Sequence, residues 1–585
     1  MDNNTPNYDS LTKAGYNTMV IEMLNGAQLP DKLNQNGGYC NVTFNFPDSI
    51  ADEMDDDFKE FFSGRPILNE KIEGQGTTAQ EYYRWNFRWK LSENNNKRRI
   101  TAKKNVASSM HSHKMGATRM FNDLHEKICG QNETGKRVAV YQYPAFGFLK
   151  TLKEGTKDEY FYTYIGLYTV GPDKGDKTVF GYDDKAYKET LIHLEGSDHT
   201  PMMVGYDYPW EATRFMEGNG DDVDASLGAI VSQSDIAKGW EVGAAGSYDI
   251  EDPADTQNVQ NYFDTEFRPA YDSIYRNSTS ILGVDYTVDQ INQNTIEWRS
   301  KVTPSGKPYS ELEFYTNGIY DLYYFDLFEN KYVTSGINVL TDVGLTLDDV
   351  QDKDSESILE LIKSKRRERF KTEFVKYWDL DDALFHDVFC EIIGATDNFK
   401  KNNYPYKFAL LSNGGKWKKR QDDLDTIFDI NNKGFADKKY SILLGDKTSS
   451  GSVYRGDNSN LTILLQECFS IEKVNMARKI LDAMKDLSPY GKFSIDKLVG
   501  YVQSCCWDNA QEYFTKGGYN SDAEWTYEDA WPLLGNQIST NPLSQSQGDH
   551  YEAERDWIEQ RMTFVASYYN WGPFAKDNGS DQSTG

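Results

Sequence analysis

The chain has 585 residues, with 63 Lys and Arg against 91 Asp and Glu, for a formal net charge of −28; its pI is near 4.7 and its mean hydropathy −0.71. This balance excludes a protein that binds nucleic acid over its whole surface, because phosphate binding needs a cationic face. The lack of any apolar run of about 18 residues excludes a helical membrane span.

Low hydropathy with high charge can signal disorder, but 39 Tyr, 30 Phe and 12 Trp supply ample apolar surface for a core. The opening Met-Asp-Asn-Asn-Thr-Pro-Asn-Tyr has neither the basic nor the apolar part of a secretory leader, so a cytosolic site of synthesis is expected. Six scattered cysteines, Cys40, Cys129, Cys390, Cys468, Cys505 and Cys506, form no CxxC pair and read as reduced thiols.

In chain order, residues 1–60 are polar and read as an N-terminal arm, with a short strand around Tyr39–Phe46 and a closing acidic cluster at Asp52, Glu53 and Asp55–Asp57. Tyr82–Leu91 alternates aromatic with polar or basic residues, the pattern of a half-buried strand. Over Ser108–Cys129, Ala117, Met120, Leu124 and Ile128 fall on one helical face. Arg137–Lys150 and Tyr160–Val170 read as strands joined by a charged turn at Gly155. These elements suggest an α+β lobe over 61–200.

Residues 201–345, with Gly/Asp clusters and Tyr/Phe-rich strand-like runs, read as an inserted subdomain. From 346 to 545 the chain turns mainly helical: Leu359–Trp378, Asp381–Ile393, Leu461–Phe469, Val474–Met484 and Ser494–Cys505. A hairpin over Tyr406–Trp417 interrupts them at Asn413-Gly414-Gly415. The last segment, 546–585, holds an amphipathic helix, Ala553–Tyr569, and a Gly/Ser/Asp tail.

The sharpest chemical pattern is Asp397-Asn398-Phe399-Lys400-Lys401-Asn402 followed by Asp422-Asp423-Leu424-Asp425. A carboxylate, an amide five residues on and a paired Asp after a hairpin supply the hard oxygen ligands of a Mg-nucleotide site. The competing reading makes Asp397 a turn cap and Asp422–Asp425 a solvated acidic loop. Lys103 and Lys104, after a strand, are either phosphate contacts or surface lysines. Gly74-Gln75-Gly76-Thr77-Thr78 either cradles phosphate through backbone N–H groups or is a plain turn. His111 and His113 lack the helical i, i+4 spacing of a zinc pair.

In this order and spacing the motifs resemble the CotH family, spore coat protein H and its kinase-fold relatives. Gly74–Gln80 with Tyr83–Lys90 is similar to the family's opening strand. Ala102-Lys103-Lys104 with Ser108–His111 resembles its Lys-bearing strand and helix, and Tyr164–Thr169 its Tyr-x-Gly-x-Tyr strand. Asp397 with Lys401-Asn402 resembles its catalytic loop, and Asp423-Leu424-Asp425-Thr426 with Asn431–Gly434 its metal loop.

The resemblance covers roughly residues 70–470. It implies an α+β, two-lobed, atypical protein-kinase-like fold with a large insertion and a helical C-terminal region. In it Asp397 and Lys401 would be catalytic, Lys103 and Arg88 would contact ATP, and Asn402, Asp423 and Asp425 would hold Mg or Mn. Two departures stand out: no Glu follows the Gly-x-Tyr strand, and Asp422 replaces the Trp of the metal loop.

The Gly-Thr-Thr opening and the Asp-x-Asp-Thr form of the metal loop resemble most a subset found among tail and virion proteins of crAss-like gut phages. This implies a structural virion component on a degenerate kinase fold, made in the bacterial host cytoplasm. It would form a symmetric homo-oligomeric ring with other tail proteins, with no stable nucleic-acid binding. An active kinase phosphorylating Ser or Thr is the alternative.

Overall fold

The computed structural model describes residues 7–13, 15–30, 37–47, 59–75, 86–95, 98–103, 112–130, 139, 142–173, 176, 191–196, 214–217, 239–245, 258, 261, 264–279, 282–284, 314–316, 318–326, 331–395, 398, 403–408, 415–421, 424, 427, 440–441, 460–486, 557 and 560–571. Its first part is a closed seven-stranded barrel. The strands are β1 (Thr18–Met23), β2 (Gly38–Asn45), β3 (Ser63–Gln75), β4 (Asn86–Lys90), β5 (Arg99–Lys103), β6 (Tyr143–Leu152) and β7 (Tyr160–Pro172). Around the barrel their order is β1-β2-β3-β4-β5-β7-β6. All neighbours are antiparallel except the closing pair, where β1 runs parallel to β6 from Thr18↔Phe146 to Ile21↔Leu149.

Strand alternation explains the barrel interior. Met19 and Ile21, Cys40, Val42 and Phe44, Phe87 and Trp89, Ile100 and Ala102, and Tyr168 and Val170 occupy every second position and are buried together. Each strand sends one face inward. The interior is packed with side chains: Trp89 meets Phe44 edge-on at 5.7 Å, and its indole N–H donates to Cys40 Sγ at 3.3 Å. Burial pushes the Cys40 thiol up to about 11. At Gly147 a Cβ would come within 3.0 Å of the Tyr168 ring, so the β6–β7 register shift at Gly147/Phe148 depends on the missing side chain.

The closed barrel corrects the expected two-lobed kinase-like fold. The first described strands, β1 and β2, come from the Asn/Asp-rich stretch before residue 60, and β1 joins β6 to close the sheet. The helix after β5, α2 (Ser112–Cys129), leaves the barrel for the helical core. Its Phe121 packs edge-on against Phe385 and Phe389 at 5.2 and 5.1 Å. A sheet sealed edge to edge, with its helix committed elsewhere, is not a nucleotide-covering lobe. A short helix, α1 (Tyr8–Lys13), lies against the barrel exterior, where Tyr8 stacks on Tyr162 at 4.2 Å.

Two further sheets follow. One has the order β16-β15-β8-β10-β9, built from β8 (Leu191–Gly196), β9 (Arg214–Glu217), β10 (Gly239–Ala245), β15 (Asn403–Phe408) and β16 (Lys418–Gln421). The other is β11-β12-β13-β14, from β11 (Leu282–Val284), β12 (Phe314–Thr316), β13 (Asp321–Asp326) and β14 (Lys331–Asn338). The β15–β16 pairing realises the expected hairpin, although its turn residues 409–414 lie outside the described residues.

The second core is helical. It contains α2, α3 (Arg268–Tyr275), α4 (Val339–Asp342), α5 (Ser355–Tyr377), α6 (Leu380–Ile393), α7 (Asn460–Cys468), α8 (Ser470–Asp486) and the helix at 560–568. Local chemistry sets their ends: Asp354 accepts from the Ser357 N–H at 2.7 Å to start α5, and Asp379 accepts from the Asp382 N–H at 3.1 Å to start α6, each satisfying an orphan donor. α6 stops at Gly394, whose φ of 69° is left-handed, the usual place for glycine. Trp378, between α5 and α6, donates to the Ala270 carbonyl at 3.1 Å and stacks parallel on Phe374.

Candidate functional site

From Asp382 to Ile393 every residue of α6 is buried. A helix buried on all sides must find partners for its polar side chains, because an unpaired buried charge is costly. Asp382 stands at its start, His386 and Asp387 in the middle, Cys390 and Glu391 near its end. Their partners come from distant parts of the chain.

Asp382 is shared by two elements. Its Oδ1 lies 2.8 Å from His125 Nε2 on α2, and its Oδ2 accepts the Lys419 backbone N–H of β16 at 2.8 Å. One carboxylate therefore pins the hairpin and α2 to α6. Higher on the helix, Gln421 Nε2 donates to Cys390 Sγ at 2.9 Å, while Gln421 Oε1 accepts from Asn398 Nδ2 at 3.0 Å.

The next turn carries a charged knot. Lys473 Nζ, from α8, sits 2.9 Å from Asp387 Oδ2 and 2.9 Å from Glu391 Oε2, with all three side chains buried. Glu391 Oε1 accepts from the Tyr569 hydroxyl at 2.8 Å. Arg561 donates to the Glu391 and Ile392 carbonyls at the C-terminal end of α6, and to the Tyr440 carbonyl. A guanidinium there satisfies orphan carbonyls and complements the helix dipole.

This surrounding shifts titrations. Burial, then the nearby Lys419 charge, pushes His386 well below its usual value. Burial also lowers Lys419, against the attraction of Asp387, Cys390 and Asp382. Burial raises the Cys390 thiol, with Asp387 adding to the effect. The thiol is therefore held protonated, the opposite of an activated nucleophile. Lys473 is raised because Asp387 and Glu391 outweigh the desolvation that would lower it.

His386 gives a pH prediction. Below about pH 6.5 the unfolded chain takes up a proton that the buried imidazole refuses, so stability falls with pH by up to about 1.4 kcal/mol per unit down to the depressed folded value. Urea midpoints at pH 7.5, 6.5 and 5.5 should drop in the native chain and drop less in His386→Gln. An unchanged acid limb in the variant would remove His386 from this role.

The residues singled out from sequence fall in two places. Asp397, Lys401, Asn402, Asp423 and Asp425 lie outside the described residues. Their described neighbours meet: Asn403 is the register partner of Gln421, and Asn398 bonds Gln421. Lys103 and Arg88 are on the barrel. Lys103 faces Thr169 across the β5–β7 pair, and its carbonyl accepts from the Thr169 hydroxyl at 3.2 Å. Arg88 is opposite Thr101 and donates to Glu73 Oε2 at 3.1 Å, so its charge is directed to a barrel carboxylate.

Among the described residues no group of three or more His, Cys, Asp or Glu side chains is arranged to hold a metal ion, and no helix is long and apolar enough to cross a membrane. The Asp382, His386, Asp387 and Glu391 set escaped the sequence reading. Its signal was the i, i+4 spacing of Asp382 with His386 and of Asp387 with Glu391 inside an otherwise apolar helix. No protein-family model and no curated protein matches the chain.

Proposed function

We propose that the chain is a non-catalytic structural component of a larger assembly, of the virion-tail kind suggested by the motif resemblance. What supports this reading most is where the buried charge goes. His125 with Asp382 and Glu391 with Tyr569 join segments 257 and 178 residues apart, and Arg561 ties the 560–568 helix to the end of α6. The strongest polar groups fasten the chain to itself, which suits a rigid block.

The exterior fits the same role. The β6–β7 hairpin carries Leu152 and Phe161 half exposed near its turn, and Lys150 and Lys153 lie over Tyr160 and Phe161 at 3.9 and 5.2 Å. Exposed apolar groups rimmed by polar side chains mark surfaces where proteins meet.

The test is solution mass against concentration by light scattering, with ATP and Mg or Mn added in a parallel series. Discrete oligomers indifferent to nucleotide are expected. A monomer at every concentration, or transfer of the ATP γ-phosphate to protein, would overturn the reading.

A further inference from the structure

The outer face of the barrel carries a basic patch in a strongly acidic chain. Lys71 and Glu73 on β3, Arg88 and Lys90 on β4 and Arg99 on β5 alternate with the buried interior residues Ile72, Phe87, Trp89 and Ile100. Their register makes them neighbours: Glu73 is opposite Arg88, Lys90 opposite Arg99 and Tyr39 of β2 opposite Lys71. Glu73 alone serves three cations, Lys71 at 3.0 Å, Arg88 at 3.1 Å and Lys90 at 3.8 Å. Lys71 is 45% exposed, Lys90 33% and Arg88 24%, and Tyr39 beside them is 52% exposed.

A complementary surface lies elsewhere on the same chain. Between α4 and the first turn of α5, Asp348, Asp349, Asp352, Asp354 and Glu356 are all exposed, together with Leu347, 62% exposed. Asp349 and Asp354 also cap helical turns, which fixes the backbone that presents the group.

We propose that the β3–β5 face of one copy docks the acidic segment 347–356 of a second copy, a head-to-tail contact with Tyr39 and Leu347 at its apolar centre. The inference rests on the assembly reading and gives that assembly its contact. A surface pairing unlike patches is heterologous and builds rings or filaments. Burial first, then the charge of Arg88, holds Lys90 below its usual value, while Glu73 and Asp173 act the other way.

Two charge reversals test it. One carries Lys71→Glu and Lys90→Glu; the other carries Asp348→Lys, Asp352→Lys and Glu356→Lys, positions that cap no helix and that together with Lys353 turn the segment net positive. Sedimentation at low and high salt should show self-association of the native chain that salt weakens. Each variant alone should associate at least about tenfold more weakly, as expected when like charges face each other. An equimolar mixture should recover association, because each reversed surface then meets an opposite charge.

If the native chain associates but neither reversal weakens it, the proposed contact is wrong while the assembly reading stands. A native chain that stays monomeric removes both. Patch-dependent binding of a single-stranded DNA oligonucleotide without self-association would make the occupant a nucleic acid and overturn the proposal. Circular dichroism checks folding; if the barrel variant misfolds, the acidic-segment variant decides alone.

Discussion

Replacing Lys473 with Met is expected to cost about 3–5 kcal/mol, the range for removing one partner of a buried ion pair. The ammonium lies 2.9 Å from both Asp387 and Glu391, and Met keeps its volume while leaving two buried carboxylates facing each other. Domain stability is typically about 5–15 kcal/mol, so the variant should unfold at markedly lower urea. The cause is separable from lost packing. Adding Asp387→Asn and Glu391→Gln should restore most of the loss, because the amides need no countercharge and the new glutamine carbonyl can still accept from Tyr569. A triple variant as unstable as the single one would place the cost in packing.

The same knot predicts alkaline behaviour. Lys473 is raised by Asp387 and Glu391 against desolvation, and Tyr569 is raised well above its usual value, first by burial and then by Glu391. The native state therefore keeps both protons at pH values where the unfolded chain has lost them. Stability from these groups is complete below about pH 10 and falls as pH rises further, through the raised folded values.

Much of this architecture was legible as local pattern. The alternation around Phe87 and Trp89 marks β4, and the spacing of Ala117, Met120 and Leu124 marks the buried face of α2. The extents of α5, α7 and α8 also follow apolar periodicity, and that of α6 its mainly apolar run. Barrel closure was not legible, because it depends on Thr18–Ile21 lying parallel to Phe146–Leu149, and a pairing between distant segments leaves no local trace. The kinase-like expectation came from motif order, which carries no information on whether a sheet is open or closed. The α6 network was half legible: four buried polar residues announce that partners exist, but nothing local says that these are His125, Lys473 and Tyr569.

Trp89→Ala is the second large expected effect, and it tests barrel closure directly. The indole is wholly buried, touches Phe44 and Phe87, and donates to Cys40 Sγ. Its strand is held on both sides, by Ile72↔Trp89 and by Trp89↔Ile100. A closed sheet with strands paired on both sides cannot slide one strand inward to fill a void, so the cavity should persist. The loss should be about 3–5 kcal/mol, as for other buried aromatic truncations. Trp89→Phe, which keeps a ring against Phe44 and forfeits only the donor to sulfur, should cost well under half as much. Leu68→Ala, at a 63% exposed position on β3, should change stability by less than about 0.5 kcal/mol. A Trp89→Ala loss near that of Leu68→Ala would mean that the barrel yields around the missing ring, which a sheet closed through the β1–β6 pair does not allow.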